Sequence, residues 1–221
     1  MRLWACKLTY SSQLLDCRVC HAPFIHGPEL VHFAQLRHRV FVEGMGWDVP
    51  AVAEMEQDYY DIGKATYVIA TRSGTSEVVA GLRLRPTEEH CPSYGGPGLY
   101  SYMIRDAQRG LLPSIPMNLM DDTAPIDASI WEATRLVSIG GADATRLVLD
   151  KAMAFLSSVG CRKALFLTRA HVERVARRWG YEMQPEGPKV QIDGAAHRVF
   201  ACDVQPCLRE VCRSSAPEIV A

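Results

Sequence analysis

Four short stretches of the sequence place ionisable side chains among apolar or aromatic neighbours. They read LRHRVFVEGMGWD from residue 36, EMEQDYYD from residue 54, GLRLRPT from residue 81 and WEATR from residue 131. Charges in apolar surroundings are costly unless they are paired or used. The pattern therefore predicts either an ion-pair network that pins a loop to a sheet or a polar pocket for a charged substrate. Spacing alone leaves both open.

The acidic stretch needs cations beside it. Glu56, Asp58 and Asp61 fall within six residues and repel one another unless positive charges lie near. Arginines are the available partners. Arg37 lies one turn before Phe41, on the apolar side of its predicted helix, so we expect it to face the interior.

Two predicted strands carry the remaining charges. Arg83 and Arg85 alternate with leucines, so they share one face of their strand. In a regular strand Glu132 and Arg135 would point to opposite faces. We therefore predict a β-bulge that brings these two side chains to the same side.

Hydrophobic periodicity predicts the elements that position these side chains. A helical pattern runs from Pro28 through Phe41, and residues 44–62 read as a loop rich in acids. ATYVIATR and EVVAGLRLRP predict an antiparallel hairpin, and residues 88–128 are irregular apart from a short helix near Tyr102–Gly110. The C-terminal half reads as the strand WEATRLVSI, the helix ADATRLVLDKAMAFLSSVG, the strand KALFLT buried on both faces, the helix AHVERVARRWG, a strand from YEMQ and a hairpin turning at Asp193–Gly194.

This order predicts an α/β (α+β) fold, with a mixed, largely antiparallel sheet flanked by helices in a three-layer αβα sandwich. The segment VERVARRWGYE is similar to the last helix–strand step of the Gcn5-related N-acetyltransferase fold. Weak periodicity before Gly27–Pro28 predicts an N-terminal extension over residues 1–27. We predict one domain over residues 28–205 and a mobile C-terminal tail over residues 206–221.

Composition limits the classes of function. The chain has 221 residues, 48% of them hydrophobic, and a formal net charge of -1, so no overall basic field predicts nucleic-acid binding. Arg174, Arg177 and Arg178 form a local basic run that an acidic partner could contact, although a solvated helix face explains it equally well. No stretch resembles a membrane helix or a signal peptide. We therefore predict a cytoplasmic protein with reduced thiols.

One cysteine pattern suggests other chemistry. CRVCH, from Cys17 to His21, matches the spacing of c-type haem attachment, and Cys17 and Cys20 could join Cys207 and Cys212 in a zinc site. Covalent haem attachment normally needs an exported chain, which the N-terminus does not indicate. We interpret the segment as a thiol-containing extension and predict no metal.

Taken in order, the charged stretches resemble a known family. LRHRVF, GWD, EMEQDYYD, RLRPT and WEATR are similar, at similar intervals, to the motifs of acyl-homoserine-lactone synthases, the LuxI-type autoinducer synthases of bacterial quorum sensing. The resemblance implies a fold similar to the acyltransferase fold named above. It also implies a reaction in which S-adenosylmethionine and a fatty acyl thioester yield an acyl-homoserine lactone and methylthioadenosine.

The resemblance also implies which side chains act. The implied set is Arg37, Phe41, Trp47, Glu56, Asp58, Asp61, Arg83, Glu132 and Arg135. Acids and the face of Trp47 suit the ammonium and sulfonium of adenosylmethionine, and an arginine fork suits its carboxylate. The α-amine must lose a proton before it attacks, so we predict Glu132 as general base and Asp58 as a binding and orienting group. No cofactor is implied, and the acyl carrier, coenzyme A or acyl carrier protein, stays open.

Two positions depart from the family's pattern. Gln108 stands where a Phe is usual, and Phe166 aligns with a position that often holds Thr in relatives that make 3-oxo lactones. We predict that both line the acyl pocket and that Phe166 favours an acyl group without a 3-oxo oxygen, short, branched or aromatic. The alternative is an acetyl-CoA-dependent N-acetyltransferase of the same fold, which has no need of the acidic loop or of Trp47.

Overall fold

The computed structural model describes residues 14–22, 25–89 and 101–205. The predicted mobile tail, with Cys207 and Cys212, lies outside the described residues. The strands are β1 (Leu15–Ala22), β2 (Ala51–Val52), β3 (Met55–Glu56), β4 (Ala65–Arg72), β5 (Val78–Pro86), β6 (Ile130–Ser138), β7 (Lys163–Arg169), β8 (Met183–Pro185), β9 (Val190–Ile192) and β10 (Ala195–Asp203). The helices are α1 (Pro28–Arg37), α2 (Met103–Gln108), α3 (Gly141–Ser158) and α4 (Val172–Arg178), with a π-helical segment at His38–Gly44 and a 3-10 turn at Tyr59–Asp61.

The main sheet has the strand order β1-β4-β5-β6-β7-β10-β8, with β9 paired to the start of β10. Its pairs are antiparallel except β6 and β7, which run parallel because α3 crosses between them. Helices α1 and α2 pack on one face of the sheet, and α3 and α4 pack on the other. The predicted mixed, largely antiparallel sheet between helical layers is therefore confirmed.

Helix α1 begins where the sequence predicts. Gly27 adopts a φ of 77°, and Pro28 occupies the first turn, where a missing N–H is tolerated. Its buried side chains are Leu30, Phe33, Ala34, Leu36 and Arg37. The chain then continues as the π-helical segment, which adds Phe41 to the same apolar cluster. The predicted helical stretch through Phe41 is confirmed, and its final turns are of a kind that often occurs at functional sites.

Residues 15–22, interpreted from sequence as part of an extension, form the edge strand β1. All eight residues pair with β4. Leu15, Cys17 and Val19 pack against the core, whereas Asp16 and Arg18 are exposed. This period-two alternation is weak in sequence because an edge strand needs only one apolar face. The stretch nevertheless belongs to the sheet.

The predicted β-bulge is present in β6. The register between β5 and β6 changes from Gly81 opposite Val137 to Arg83 opposite Thr134, so two residues of β6 lie opposite one residue of β5. One of the two is Arg135, whose φ of 54° is unusual for a residue with a side chain. The bulge turns Arg135 toward the face that carries Arg83.

Strands β6 and β7 separate after a short contact. They pair only over residues 130–133 and 163–166, although both strands continue beyond that point. The C-terminal halves of these two strands are therefore not paired with each other. The prediction that β7 is buried on both faces holds at residues 164–165 but not at 166–168, which are partly exposed because β6 no longer covers them.

The structure also tests three other local predictions. The short helix expected near Tyr102–Gly110 is α2, and the hairpin turn at Asp193 and Gly194 has the positive φ values of 48° and 72° that its tight geometry needs. Residues 44–62, predicted as a loop, contain the small β2–β3 hairpin and the 3-10 turn. No helix in the described part of the chain has both the length and the apolarity to cross a membrane.

Candidate active site

Three arginines and three carboxylates form a closed ring of ion pairs on the face that carries α1 and α2. Each cation contacts two acids, and each acid contacts two cations. The pairs join Arg37 to Glu56 and Asp61, Arg83 to Asp58 and Asp61, and Arg135 to Glu56 and Asp58. The structure thus brings together six of the residues that the sequence analysis selected. We call this set the ion-pair ring.

Short bonds hold the acidic loop in the shape that the ring requires. The Asp58 side chain accepts a hydrogen bond from the Tyr60 N–H at 2.8 Å, and the Asp61 side chain accepts one from the Asp58 N–H at 2.8 Å. Together they form a reciprocal cap on the 3-10 turn. The Tyr67 hydroxyl donates to Asp61 Oδ1 at 2.9 Å. These hydrogen bonds hold the carboxylates of Asp58 and Asp61 close together, although their like charges repel each other.

The ring fixes the ionisation of its aspartates. Burial alone would raise the pKa of Asp61, but Arg83 and Arg37 outweigh it and hold this pKa well below its usual range. The pKa of Asp58 is also lowered, because Arg83 and Arg135 outweigh burial. Both groups therefore stay charged near neutral pH. Such groups can bind and orient a cation, but they are poor proton acceptors.

One edge of the ring faces outward. The side chains of Arg135 and Asp58 are 10% and 7% exposed, against 0% for the other four members. Phe41 and Trp47 stack beside this edge with ring centroids 4.8 Å apart and planes 8° from parallel. The Arg135 guanidinium carbon lies 5.9 Å from the centre of the Phe41 ring. Trp47 is partly exposed, so its face is available to a cation.

Glu132 lies on the same sheet face but outside the ring. It is 1% exposed, and its two oxygens accept the backbone N–H groups of Met103 at 3.0 Å and Ile104 at 2.8 Å, in the first turn of α2. Burial raises the pKa of Glu132 to about 7, although these two bonds and the charges of Arg83 and Arg85 oppose the rise. Unlike the ring aspartates, this carboxylate exchanges a proton near neutral pH.

Met103 contacts both charged residues of the WEATR stretch, Glu132 and Arg135. Its backbone binds Glu132, and its sulfur lies 3.7 Å from Nη1 of Arg135. The prediction that the bulge brings Glu132 and Arg135 to one side of the sheet is confirmed. Arg135 directs its ion pairs to Glu56 and Asp58 instead.

Further side chains that the sequence analysis did not select complete this region. The Tyr60 hydroxyl donates to Asp106 Oδ2 at 3.0 Å, and Nη1 of Arg85 donates to the Tyr60 carbonyl at 3.0 Å. Asp106 also accepts the Ser101 N–H at 2.8 Å. In the sequence, the only signal for these contacts was the alternation of Arg83 and Arg85 with leucines, which placed Arg85 on the same face as Arg83. A tyrosine in an acidic loop and an aspartate in a short helix are ordinary surface patterns.

The two predicted acyl-pocket residues lie on opposite faces of the sheet. Gln108, on α2, uses its amide to bind the Asp122 carbonyl at 2.9 Å and the Ala124 N–H at 2.8 Å. Phe166, on β7, packs with the clusters formed under α3 and α4. The structure therefore does not bring these two side chains together, because α2 covers the other face of β7 at Leu165.

The CRVCH stretch does not place its thiols at one site. Cys17 Sγ faces the Leu147 carbonyl of α3 at 4.0 Å, whereas Cys20 Sγ faces Glu29 of α1 at 3.8 Å. Residues three apart in a strand point to opposite faces, so these thiols cannot share a metal ion. Burial raises the pKa of Cys17 to about 12 and that of Cys20 to about 11. Within residues 14–22, 25–89 and 101–205, no group of three or more metal-binding side chains occurs.

The fold is similar to that of acyltransferases with a Gcn5-related architecture. A solved acyl-CoA N-acyltransferase from Pseudomonas aeruginosa aligns with a TM-score of 0.53 at 18% identity, over 87% of this chain and 100% of that chain. At that identity the likeness concerns the fold. It confirms the predicted three-layer arrangement.

Matches in sequence are more specific. Residues 27–94 match the family model described as "Autoinducer synthase". An acyl-homoserine-lactone synthase of Ralstonia nicotianae is 28% identical over 195 residues, which are 81% of this chain and 86% of that relative. TofI, solved in a ternary complex with an inhibitor and MTA, aligns with a TM-score of 0.66 at 27% identity, over 85% of this chain and 92% of that chain. Over most of its length the chain is therefore similar to acyl-homoserine-lactone synthases.

Proposed function

We propose that the chain makes an acyl-homoserine lactone from S-adenosylmethionine and an acyl thioester and releases methylthioadenosine. The observation that carries the proposal is the presence of two unlike sites on one sheet face. One is the ion-pair ring with a single outward edge, and the other is a buried carboxylate that titrates near pH 7. The first suits a substrate that carries an ammonium, a sulfonium and a carboxylate. The second suits proton transfer from its amine.

Adenosylmethionine would bind at the outward edge of the ring. Asp58 is ionised and partly exposed, so it can contact the ammonium, and the face of Trp47 can cover the sulfonium. Nη1 of Arg135 has only the weak Met103 sulfur acceptor and can donate to the substrate carboxylate. Arg37, Arg83, Glu56 and Asp61 hold these groups in place from the buried side.

Glu132 would act as the general base. Directly or through one water, it accepts a proton from the substrate ammonium. The free amine then attacks the thioester carbonyl, so that a C–N bond forms, the C–S bond breaks and the carrier leaves as a thiol. The substrate carboxylate next attacks its own γ-carbon. A C–O bond closes the lactone while the C–S bond of the sulfonium breaks, and the electron pair leaves with methylthioadenosine.

The acyl thioester would bind between β6 and β7. The pairing of these strands ends at residue 133 on β6, the strand that carries Glu132, and at residue 166 on β7. Phe166 lies where the pairing ends and is partly exposed, so we retain it as a wall of the acyl site that favours acyl groups without a 3-oxo oxygen. Gln108 is already bound to the 122–124 loop and lies on the other face.

Helix α4 supplies a surface for the acyl carrier. It begins three residues after β7 ends, and Arg174, Arg177 and Arg178 with Glu173 line a depression on it. Positive charge there suits either the acidic surface of a carrier protein or the phosphates of coenzyme A. Replacing the three arginines with glutamate should raise KM for the true carrier and leave adenosylmethionine binding unchanged.

The decisive experiment is a mass-spectrometric assay with adenosylmethionine and a panel of straight, branched and aromatic acyl groups on both carriers. We expect an acyl-homoserine lactone and methylthioadenosine in equal amounts, with one carrier strongly preferred. An acetylated amine without methylthioadenosine would establish the alternative acetyl-CoA-dependent N-acetyltransferase. Folded protein that neither turns over nor binds adenosylmethionine by calorimetry would contradict the proposal.

A further inference from the structure

Arg85 is a buried cation that forms no ion pair with an acid of the described residues. Its side chain is among the fully buried ones, with 1% of the residue exposed. Nη1 donates to the carbonyls of Tyr60 at 3.0 Å and Ile62 at 2.8 Å, whereas Nε and Nη2 have no hydrogen-bond partner in the described part of the chain. No carboxylate of the described residues forms an ion pair with it. An uncompensated buried charge is costly, so its presence in β5 calls for a use.

The position of Arg85 identifies the group that its charge can reach. In the β5–β6 register Arg85 lies directly opposite Glu132, on the same sheet face. Side chains in opposite positions of an antiparallel pair are close neighbours. Glu132 also has no ion-pair partner among the described residues, and its hydrogen bonds come from two backbone N–H groups of α2. Two opposite charges that lack ion pairs thus occupy one cross-strand position.

Other charged and titratable groups also surround Glu132. They are Arg83 on β5, Arg135 on β6, Tyr60 in the 3-10 turn, and Tyr102 and Asp106 at α2. Arg83 is already paired with Asp58 and Asp61, and Arg135 with Glu56 and Asp58. Arg83 thus acts on Glu132 while it also pairs with two acids of the ring. Arg85 acts on Glu132 as well and forms no ion pair with an acid of the described residues.

We propose that Arg85 is a positioning residue whose fixed positive charge keeps Glu132 deprotonated, and therefore able to accept the substrate proton, at the working pH. The inference rests on the proposed function of Glu132 as general base. Burial raises the pKa of Glu132 to about 7, and Arg85 is among the charges that oppose this rise. The carbonyls of Tyr60 and Ile62 hold the guanidinium in place, so the same bonds that anchor the acidic loop also anchor the charge.

Two variants separate the charge of Arg85 from its hydrogen bonds. Arg85→Lys keeps a positive charge, and Arg85→Gln keeps a donor for the loop carbonyls but is neutral. We expect the acidic limb of the kcat/KM profile to move to higher pH by about one pH unit in Arg85→Gln and to stay in place in Arg85→Lys. The substrate ammonium titrates alike in all variants. Arg162→Gln, which removes an exposed arginine with side-chain exposure of 75%, is the matched control and should not move the limb.

A direct titration keeps this inference separate from the base assignment. The Glu132 carboxyl is followed by carbon-13 NMR in protein labelled at glutamate, and its signal is assigned by its loss in Glu132→Gln. A higher titration midpoint in Arg85→Gln than in wild type supports the inference even if Glu132→Gln retains turnover, which would refute only the base role. An unchanged midpoint in Arg85→Gln overturns the inference. Circular dichroism checks folding, and Arg85→Met provides a second neutral variant for both readouts.

Discussion

The ion-pair ring and the Glu132–Arg85 position share one face of the sheet but treat charge in opposite ways. In the ring, every cation has two acids and every acid has two cations. At the second position, Glu132 is bound by backbone N–H groups and Arg85 by backbone carbonyls. Both sites are largely buried, so they differ mainly in whether opposite charges compensate their ionised side chains.

The difference shows how one face can hold both a scaffold and a proton acceptor. Full compensation keeps the aspartates of the ring ionised, with lowered pKa values. Incomplete compensation lets burial dominate at Glu132, so its pKa rises to about 7. The ring aspartates and Glu132, which share one sheet face, thus take a binding role and a chemical role according to their neighbours.

The largest expected effect tests the chemical side of the comparison. Glu132→Gln removes the proton acceptor but keeps the volume, so kcat should fall by about 10²–10⁴-fold, while the dissociation constant for adenosylmethionine stays close to wild type. Single-turnover kinetics and calorimetry measure the two quantities. Glu77→Gln, at an exposed pair with Arg72, is the control and should retain full activity. Normal turnover in Glu132→Gln would show that another group accepts the proton.

The next effect tests the scaffold. Asp61→Asn leaves two buried arginines each short of one acid, so the free energy of unfolding should fall by about 3–5 kcal/mol. Urea denaturation at pH 7.5 measures it. The Glu77→Gln control breaks an exposed pair and should cost at most about 1 kcal/mol. Equal losses in both variants would mean that the ring does not behave as one buried network.

The two sites should also respond to pH with opposite signs. Glu132 has a folded pKa of about 7, above its reference value of 4.5, so its contribution to stability is full below about pH 4.5 and is lost as pH rises through 7. Asp61 has a lowered pKa, so its contribution is present above its unfolded pKa and is lost as pH falls through the folded value.

Unfolding free energies of wild type, Glu132→Gln and Asp61→Asn between pH 5 and 9 measure both signs. The difference between wild type and Glu132→Gln should fall with rising pH, by on the order of 1–3 kcal/mol. The difference between wild type and Asp61→Asn should hold steady over this range and shrink only in more acidic solution. A flat Glu132 difference would contradict its raised pKa.

The smallest expected effect sharpens the binding role of the outward edge. Trp47→Ala should weaken adenosylmethionine binding by about 3–30-fold, since a cation over an aromatic face contributes about 0.5–2 kcal/mol. Trp47→Phe should lose less. S-adenosylhomocysteine, which lacks the sulfonium charge, is the matched ligand, and its affinity should change little. If calorimetry shows both ligands weakened equally, Trp47 acts through shape alone.

Much of the site could be predicted from local patterns. The period of two in GLRLRPT placed Arg83 and Arg85 on one face, and the helical period placed Arg37 inward. The three-residue spacing of Glu132 and Arg135 required a bulge, which β6 contains. The motif order also indicated the family that the chain resembles. These features depend on residues near one another in the chain, where periodicity decides direction.

Other features depended on contacts between distant segments. Strand β1 was missed because its pairing with β4 spans some fifty residues of chain, from Cys17 to Ala70. Gln108 and Phe166 were expected to share a pocket, yet the sheet separates them. No local pattern could assign them to opposite faces, because α2 packs on one face of the sheet through contacts between distant segments, whereas Phe166 points from β7 to the other face.

The sequence by itself determined which residues are charged, which face of each element they occupy and which family they resemble. The tertiary structure alone decided which charges are compensated. Arg83 and Arg85 are two residues apart with the same side chain, yet one bridges two buried aspartates and the other contacts only carbonyls. The physical reason is that the acidic loop presents carboxylates to Arg83 and backbone carbonyls to Arg85, and a loop's path is set by packing across the whole fold.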